Sequence, residues 1–393
     1  MPGSYIVAGA RTPIGKMSGA FSSLSAADLG GFAIAAALQR ANVRPEEVEH
    51  VIMGQVLMAG QGQVPARQAA VKAGIPMSVP SININKVCLS GLNAIYQADQ
   101  MIASGEADII VAGGMESMTN APYIASGARG GFRYGNTELA DAIIKDGLWC
   151  AFDACLMGLG TDRYSAGTIS RDEQDELAMK SHQRAAAAIA SGKFVDEIVP
   201  VSMAQRKGDP IIVDTDEGVR ASTTMESLGG LKPAFDKDGT VTAGNASQIS
   251  DGASAMVIMS KREVEKRGVK PLGEFVGYGM VAGPDSASLL QQPSRSILRA
   301  LERAGKQLSD IDLFEINEAF AAVGVASMRD LGISDDVVNV NGGAIALGHP
   351  IGMSGNRIAL TLLHELHRRG GGMGAAALCG GGGQGDALLI QTI

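Results

Sequence analysis

Cys88 stands in Asn85-Lys86-Val87-Cys88-Leu89-Ser90-Gly91, between the apolar run Ser81-Ile82-Asn83-Ile84 and a stretch of small residues. The run Ser81–Ile84 is entered through Pro80, which suits an extended strand. After it, Leu92, Ile95, Tyr96 and Ile102 recur at near-helical spacing, and Gly105 is a natural helix stop. Cys88 is therefore expected in a strand-to-helix turn, where unpaired N–H groups and the helix dipole favour a thiolate and can bind an oxyanion. The chemistry on offer is a nucleophile that carries an acyl group. The turn alone also fits a small buried hydrophobe, the commoner role of a lone cysteine.

Further candidates lie in the last eighty residues. Glu315-Ile316-Asn317-Glu318-Ala319-Phe320 sets an amide beside a carboxylate at the end of an apolar run, which also suits strand-end capping. His349, in Gly348-His349-Pro350-Ile351-Gly352, has little local packing to account for it. Cys379 precedes Gly380-Gly381-Gly382-Gly383, and four glycines cost much backbone entropy unless something must approach the main chain. They could form a hairpin turn before the strand Ala387–Ile390. A dinucleotide fingerprint is the weaker rival, because no helix follows.

Composition narrows the class. A chain of 393 residues is too long for one typical core. With 46% hydrophobic residues, 19% charged, 4% aromatic and 52 glycines, it suits aliphatic strands joined by glycine turns. A net charge of −8 without a basic run argues against nucleic acid, and no apolar run is long enough for a membrane span. Met1-Pro2-Gly3-Ser4 leads directly into a strand with no secretory signal. Four irregularly spaced cysteines form neither a disulfide framework nor a metal motif, so no metal is expected and a reducing cytoplasm is.

The elements that must position these residues begin with a strand at Tyr5–Ala8 and a turn at Gly9–Pro13. A helix follows over Ala26–Ala41, then a strand ending at Gly54. An internal repeat is visible: Ala37–Gly54 aligns without gaps on Ala300–Asn317. The same offset brings the Cys88 turn near His349 and Ile109–Gly114 near Ala375–Gly380. Two similar α/β halves are expected, each strand, helix, strand, helix, strand, with right-handed crossovers and a mainly parallel sheet. Residues 119–247 have no counterpart and contain a helix opened by the capping box Ser170-Arg171-Asp172-Glu173. They read as an inserted loop domain over the sheet ends, where ligands bind in α/β proteins. The expected division is 1–118 with 248–268 as the N-terminal half, 119–247 as the insertion, and 269–393 as the C-terminal half.

Taken together, the Cys88 motif, Asn317-Glu318-Ala319-Phe320, Gly348–Gly352 and Cys379–Gly382 resemble the thiolase family, most closely the acetyl-CoA acetyltransferases. Val7–Gly15 and Gly244-Asn245-Ala246-Ser247 extend the resemblance over nearly the whole chain. It implies an α/β fold of duplicated halves in five layers, α-β-α-β-α. It also implies reversible condensation of two acetyl-CoA into acetoacetyl-CoA and CoA, through an acyl-enzyme on Cys88. His349 would take the proton of Cys88, and Cys379 would be the general base on the second acetyl group. His349 with a water on Asn317 would hold the enolate, and the N–H groups of Cys88 and Gly381 the tetrahedral oxyanion. Arg220 and Ser247 would meet coenzyme A, and Met157 and Phe320 line its tunnel. Taken alone, Arg220 also fits a solvated surface and Met157 an ordinary core filler. CoA is a substrate here, no permanently bound cofactor is implied, and the family suggests a homo-oligomer, a dimer of dimers.

Two positions depart from the family pattern. Leu156 stands where many acetoacetyl-CoA thiolases have histidine, and the loop Asp285–Pro293 lacks the usual Met-Gly-Thr-Gly-Pro. Both border the acyl pocket, so a 3-ketoacyl-CoA thiolase for longer chains stays open as the alternative. A non-catalytic acyl-CoA-binding protein on the same fold is a third reading, disfavoured by the full set Cys88, Asn317, His349 and Cys379. Cys150 and Cys155 read as structural, His182, His364 and His367 as surface residues, and His50 shows no sign of chemistry.

Overall fold

The protein was analysed as a computed structural model that describes residues 3–205 and 207–393, so Met1 and Pro2 of the expected leaderless start lie outside the described residues. Nine main strands, β1 Ser4–Arg11, β2 His50–Gly54, β3 Ser81–Ile84, β4 Ile109–Ser117, β5 Ser250–Ser260, β6 Gly273–Ala282, β7 Leu313–Ile316, β8 Met373–Gly380 and β9 Gln384–Thr392, pair in the order β7-β8-β9-β6-β1-β5-β4-β2-β3. The helices that cover them are α1 Ala26–Ala41, α2 Pro65–Lys72, α3 Ser90–Ser104, α4 Met157–Ser165, α5 Arg171–Ala190, α6 Gln292–Ala304, α7 Ala321–Leu331 and α8 Ser354–Arg368.

The repeat is visible in the pairing. β2 runs parallel to β4, β4 antiparallel to β5, and β5 antiparallel to β1. The C-terminal half repeats this with β7, β8, β9 and β6. The expected mainly parallel sheet is thus corrected to a mixed one. β5 and β9 each enter antiparallel between the first strand of a half and its parallel strands. The turn expected at Gly9–Pro13 is also displaced, because β1 continues to Arg11, paired with Ser254.

Within the sheet, the described residues join the halves where Tyr5 and Ile6 of β1 meet Glu274 and Gly273 of β6. On either side of that seam the strands alternate faces, as the two-residue strand period requires. Val111 of β4 and Val257 of β5 pack outward on α1 and α2, while Ile110 and Ile258 pack inward on α3 and α8. In the other half, Ala376, Leu378, Leu388 and Ile390 face the same inner helices, and Ala375, Ala377 and Leu389 face α6. The result is five layers, with α3 and α8 as the shared central one. α8 is buried almost throughout, which fits its position between the two halves of the sheet.

Glycine permits the central contact. A Cβ on Gly91 would fall 2.9 Å from the backbone nitrogen of Asn356, and one on Gly355 would fall 2.4 Å from that of Leu92. The first turns of α3 and α8 therefore touch backbone to backbone. Both helix N-termini converge at the seam between the halves, each preceded by one of the candidate turns.

Candidate active site

Cys88 lies where the sequence places it, in the turn between β3 and α3. Val87 adopts φ +51°, an unusual conformation for a β-branched residue. Ser90 holds the turn: its Oγ accepts from the Lys86 N–H at 2.8 Å and donates to the Val87 carbonyl at 2.6 Å. The matching turn before α8 is built alike, with Ser354 Oγ donating to the Pro350 carbonyl at 2.9 Å.

Ser354 also defines the histidine. His349 Nδ1 lies 2.6 Å from Ser354 Oγ. The hydroxyl's one proton is directed to Pro350, so it accepts from Nδ1–H and leaves Nε2 with a free lone pair. Asn317, just past the end of β7, points its Nδ2 at that Nε2 from 3.4 Å. Asn317 Oδ1 is buried and has no partner among the described residues, which leaves an acceptor for a water or substrate group.

Cys88, His349, Cys379 and Gly381 line one small chamber of about 50 Å³, closed by Leu148, Leu289, Phe320 and Ile351. Met157 and Ser247 line it too. They and Phe320 also line a larger adjoining cavity of about 580 Å³ that extends to Arg220. Every residue singled out in the sequence thus lies in or beside these two connected spaces, Asn317 through its contact with the His349 ring. Arg220 is exposed at the far end of the larger cavity.

Electrostatics correct one expectation. Burial pushes the Cys88 thiol up to about 12, with the Glu116 carboxylate adding to it, so desolvation outweighs the helix dipole expected to favour a thiolate. Cys379 is likewise raised, by burial first and then by the nearness of Cys88. His349 is depressed to about 3 by burial and by the Arg357 charge. The resting site is therefore two thiols and a neutral imidazole.

The four glycines have reasons of their own. A Cβ on Gly380 would fall 2.7 Å from Leu89 Cγ, and Gly382 and Gly383 have φ of +78° and +65° in the hairpin between β8 and β9. Only at Gly381 is there room, with Val87 at ordinary contact distance. A need for open main chain at all four positions is therefore replaced by close packing on Leu89 at 380, a hairpin turn at 382 and 383, and an open position at 381.

Several residues carried no sequence signal strong enough to single them out. Glu116, at the end of β4, accepts from the N–H groups of Val56 at 3.0 Å, Leu57 at 3.1 Å and Gly352 at 2.9 Å. A lone carboxylate in an apolar strand was the available clue. Leu289 brings the atypical 285–293 loop into the chamber, where Asp285 caps its helical turn. His182 is buried rather than at the surface, its Nδ1 accepting from the Arg220 N–H at 3.1 Å, and His364 and His367 are half-buried. Cys150 and Cys155 are buried opposite one another in a short hairpin, as structural residues would be.

Comparison with known proteins agrees with this geometry. Residues 4–262 match the family model of the thiolase N-terminal domain, and residues 269–392 that of the thiolase C-terminal domain. A probable acetyl-CoA acetyltransferase of Mycolicibacterium smegmatis is 57% identical over 98% of this chain and all of its own. Acetyl-CoA acetyltransferases of Cupriavidus necator and Chromobacterium violaceum are 51% and 49% identical over 98% of each chain. The chain belongs to the thiolase family.

Proposed function

We propose that the protein is an acetyl-CoA C-acetyltransferase, joining two acetyl-CoA into acetoacetyl-CoA and CoA or cleaving acetoacetyl-CoA with CoA. The single observation that carries this reading is the chamber in which two thiols and an imidazole with a free Nε2 face one another. Cys88 attacks the thioester carbonyl as its proton passes to His349 Nε2, and the oxyanion rests on the N–H groups of Cys88 and Gly381. Collapse expels CoA, which takes that proton from Nε2. Cys379 then gives its proton to Nε2 and, as thiolate, removes the α-proton of the second acetyl-CoA. The enolate oxygen is held by Nε2–H and a water on Asn317. Attack on acetyl-Cys88 forms the new C–C bond, and the leaving Cys88 sulfur recovers the proton from His349.

Charge separation arises only during turnover, in line with the raised thiols and depressed imidazole. A chamber of about 50 Å³ at the two thiols suits an acetyl group, which favours this reading over a long-chain thiolase. CoA itself is read into the larger cavity, with Arg220 and Ser247 as contacts and Met157 and Phe320 as walls. The segment 119–247 acts as a CoA-binding loop domain between the halves 1–118 with 248–268 and 269–393.

The same reading places the enzyme in the cytoplasm as a dimer of dimers. Support for assembly is the open edge of β3, which exposes Ile82, and the exposed Phe132, Tyr134 and Leu139 of the insertion. Among the described residues, no helix is long and apolar enough to cross a membrane. Light scattering reads the assembly, and fractionation the compartment.

Incubation with acetyl-CoA tests the reaction itself. The acetyl group is expected on the Cys88 peptide by mass spectrometry, and Cys379→Ala keeps that acetylation while losing condensation. Label on Cys379 alone, or on neither thiol, would overturn the assignment. In thiolysis, kcat/KM is expected to fall by about tenfold or more for each extension beyond four carbons. A preference for longer 3-ketoacyl-CoA would establish the alternative.

A further inference from the structure

The Cys88 turn is strained at Val87, so a force from outside it must keep it in shape. One such force crosses between the halves. Lys86, two residues before Cys88, reaches Asp386 on β9 with Nζ at 2.7 Å from Oδ1 and 2.9 Å from Oδ2. Asp386 is paired across the ladder with Leu378, the neighbour of Cys379. Its side chain is fully buried, and Tyr278 of β6 donates to Oδ2 at 2.8 Å. Tyr278 in turn stacks on Tyr96 of α3, with ring centroids 4.5 Å apart.

A buried carboxylate with one cation beside it cannot lose that cation cheaply, unlike an exposed pair. The arrangement also has a counterpart. Glu116 of the N-terminal half holds the Gly352 N–H in the His349 turn, and Asp386 of the C-terminal half holds Lys86 in the Cys88 turn. Each turn is fixed by a carboxylate of the opposite half.

We propose that Lys86 and Asp386 are positioning residues whose ion pair clamps the Cys88 turn to β9, the strand paired beside the one bearing Cys379, fixing the separation of acyl carrier and second thiol. The proposal rests on the acyl-transfer reading above. Acylation and deprotonation occur on different halves of the molecule, and C–C bond formation requires their products to meet within near-attack distance. The clamp ties the Cys88 turn by charge to the strand that pairs beside the one bearing Cys379.

Lys86→Met, Asp386→Asn, the double variant and Lys86→Arg test it, with kcat and KM for condensation, acetylation of Cys88 and thermal melting measured on each. Each single change is expected to lower kcat about tenfold to a hundredfold while leaving KM for acetyl-CoA nearly unchanged. The double variant falls no further than the worse single, because both remove one interaction. Lys86→Arg recovers most of the activity. A folded Lys86→Met with wild-type kcat, or losses that multiply in the double, would overturn the clamp while leaving acyl transfer intact. If Asp386→Asn does not fold, Lys86→Met and Lys86→Arg decide by the same kcat criterion. A wild-type enzyme that forms no acetyl-Cys88 would instead overturn the reading on which the clamp rests.

Discussion

Asn317 Nδ2 lies 3.4 Å from His349 Nε2, so the amide from the end of β7 and the imidazole from the turn before α8 share one donor-acceptor axis. The contact is long for a hydrogen bond, and the other end of the amide, Oδ1, is buried without a partner among the described residues. An amide so placed can hold a water on Oδ1 for a developing oxyanion while its Nδ2 faces the His349 ring. Asn317→Ala is expected to lower condensation by about a hundredfold to a thousandfold, the usual loss of one oxyanion donor. Acetylation of Cys88 proceeds in that variant, since its oxyanion rests on other groups. Comparing single-turnover acetylation with steady-state condensation separates the two, and equal losses in both would contradict this division.

The protonation states predict an unusual pH profile. His349 is held down to about 3 and Cys88 up to about 12, both chiefly by burial. Acylation needs neutral His349 and the Cys88 thiol, and both forms persist across the whole range between these values. The kcat/KM for acetylation is therefore expected to be level from about pH 5 to pH 10, without the limb near 6.5 that an ordinary histidine gives. A rising limb with a midpoint between 6 and 7 would mean that His349 titrates as an ordinary imidazole and is not held neutral by burial.

Much of this site was legible because its parts are local motifs. Cys88, His349 and Cys379 stand in glycine-rich turns at strand or helix ends, and the repeat already suggested that the first two occupy matching turns. The mixed character of the sheet was not legible, because an apolar strand buried on both faces reads the same in either direction. Ser250–Ser260 and Gln384–Thr392 reveal their antiparallel pairing only in three dimensions. Burial hid the rest. Local sequence indicates a helix dipole beside Cys88 but not the apolar side chains from both halves of the sheet that pack against the thiol. His182 misled for a related reason. Its polar helical neighbours suggested solvent, whereas the Arg220 turn of the insertion folds over it.

Glu116 provides a test of the opposite clamp. Its two oxygens accept from three backbone N–H groups, one of them on Gly352 in the histidine's turn. Glutamine offers one acceptor oxygen and an NH2 that must face at least one of those donors. Glu116→Gln is expected to slow acetylation of Cys88 by about tenfold through displacement of His349, with KM for acetyl-CoA unchanged. A lowered melting temperature with full activity would show instead that Glu116 only supports the fold.

His182 predicts an acid-sensitive link between stability and CoA binding. Burial, and then the Arg220 charge, depress it to about 4, and its neutral Nδ1 accepts the Arg220 N–H. Below its ordinary pKa near 6.5, the unfolded chain binds a proton that the folded chain refuses. The folded state therefore loses stability as pH falls from 6.5 towards 4, by about 3 kcal/mol from this residue over that span. His182→Asn keeps an acceptor for the Arg220 N–H but cannot titrate, so denaturant melts of the variant should be flatter over the same window. Once His182 is protonated, its Nδ1 can no longer accept, the Arg220 turn is released, and KM for CoA in thiolysis should rise below about pH 5 in the wild type but not in the variant. Parallel pH dependence in both proteins would show that Arg220 is held by something other than this histidine.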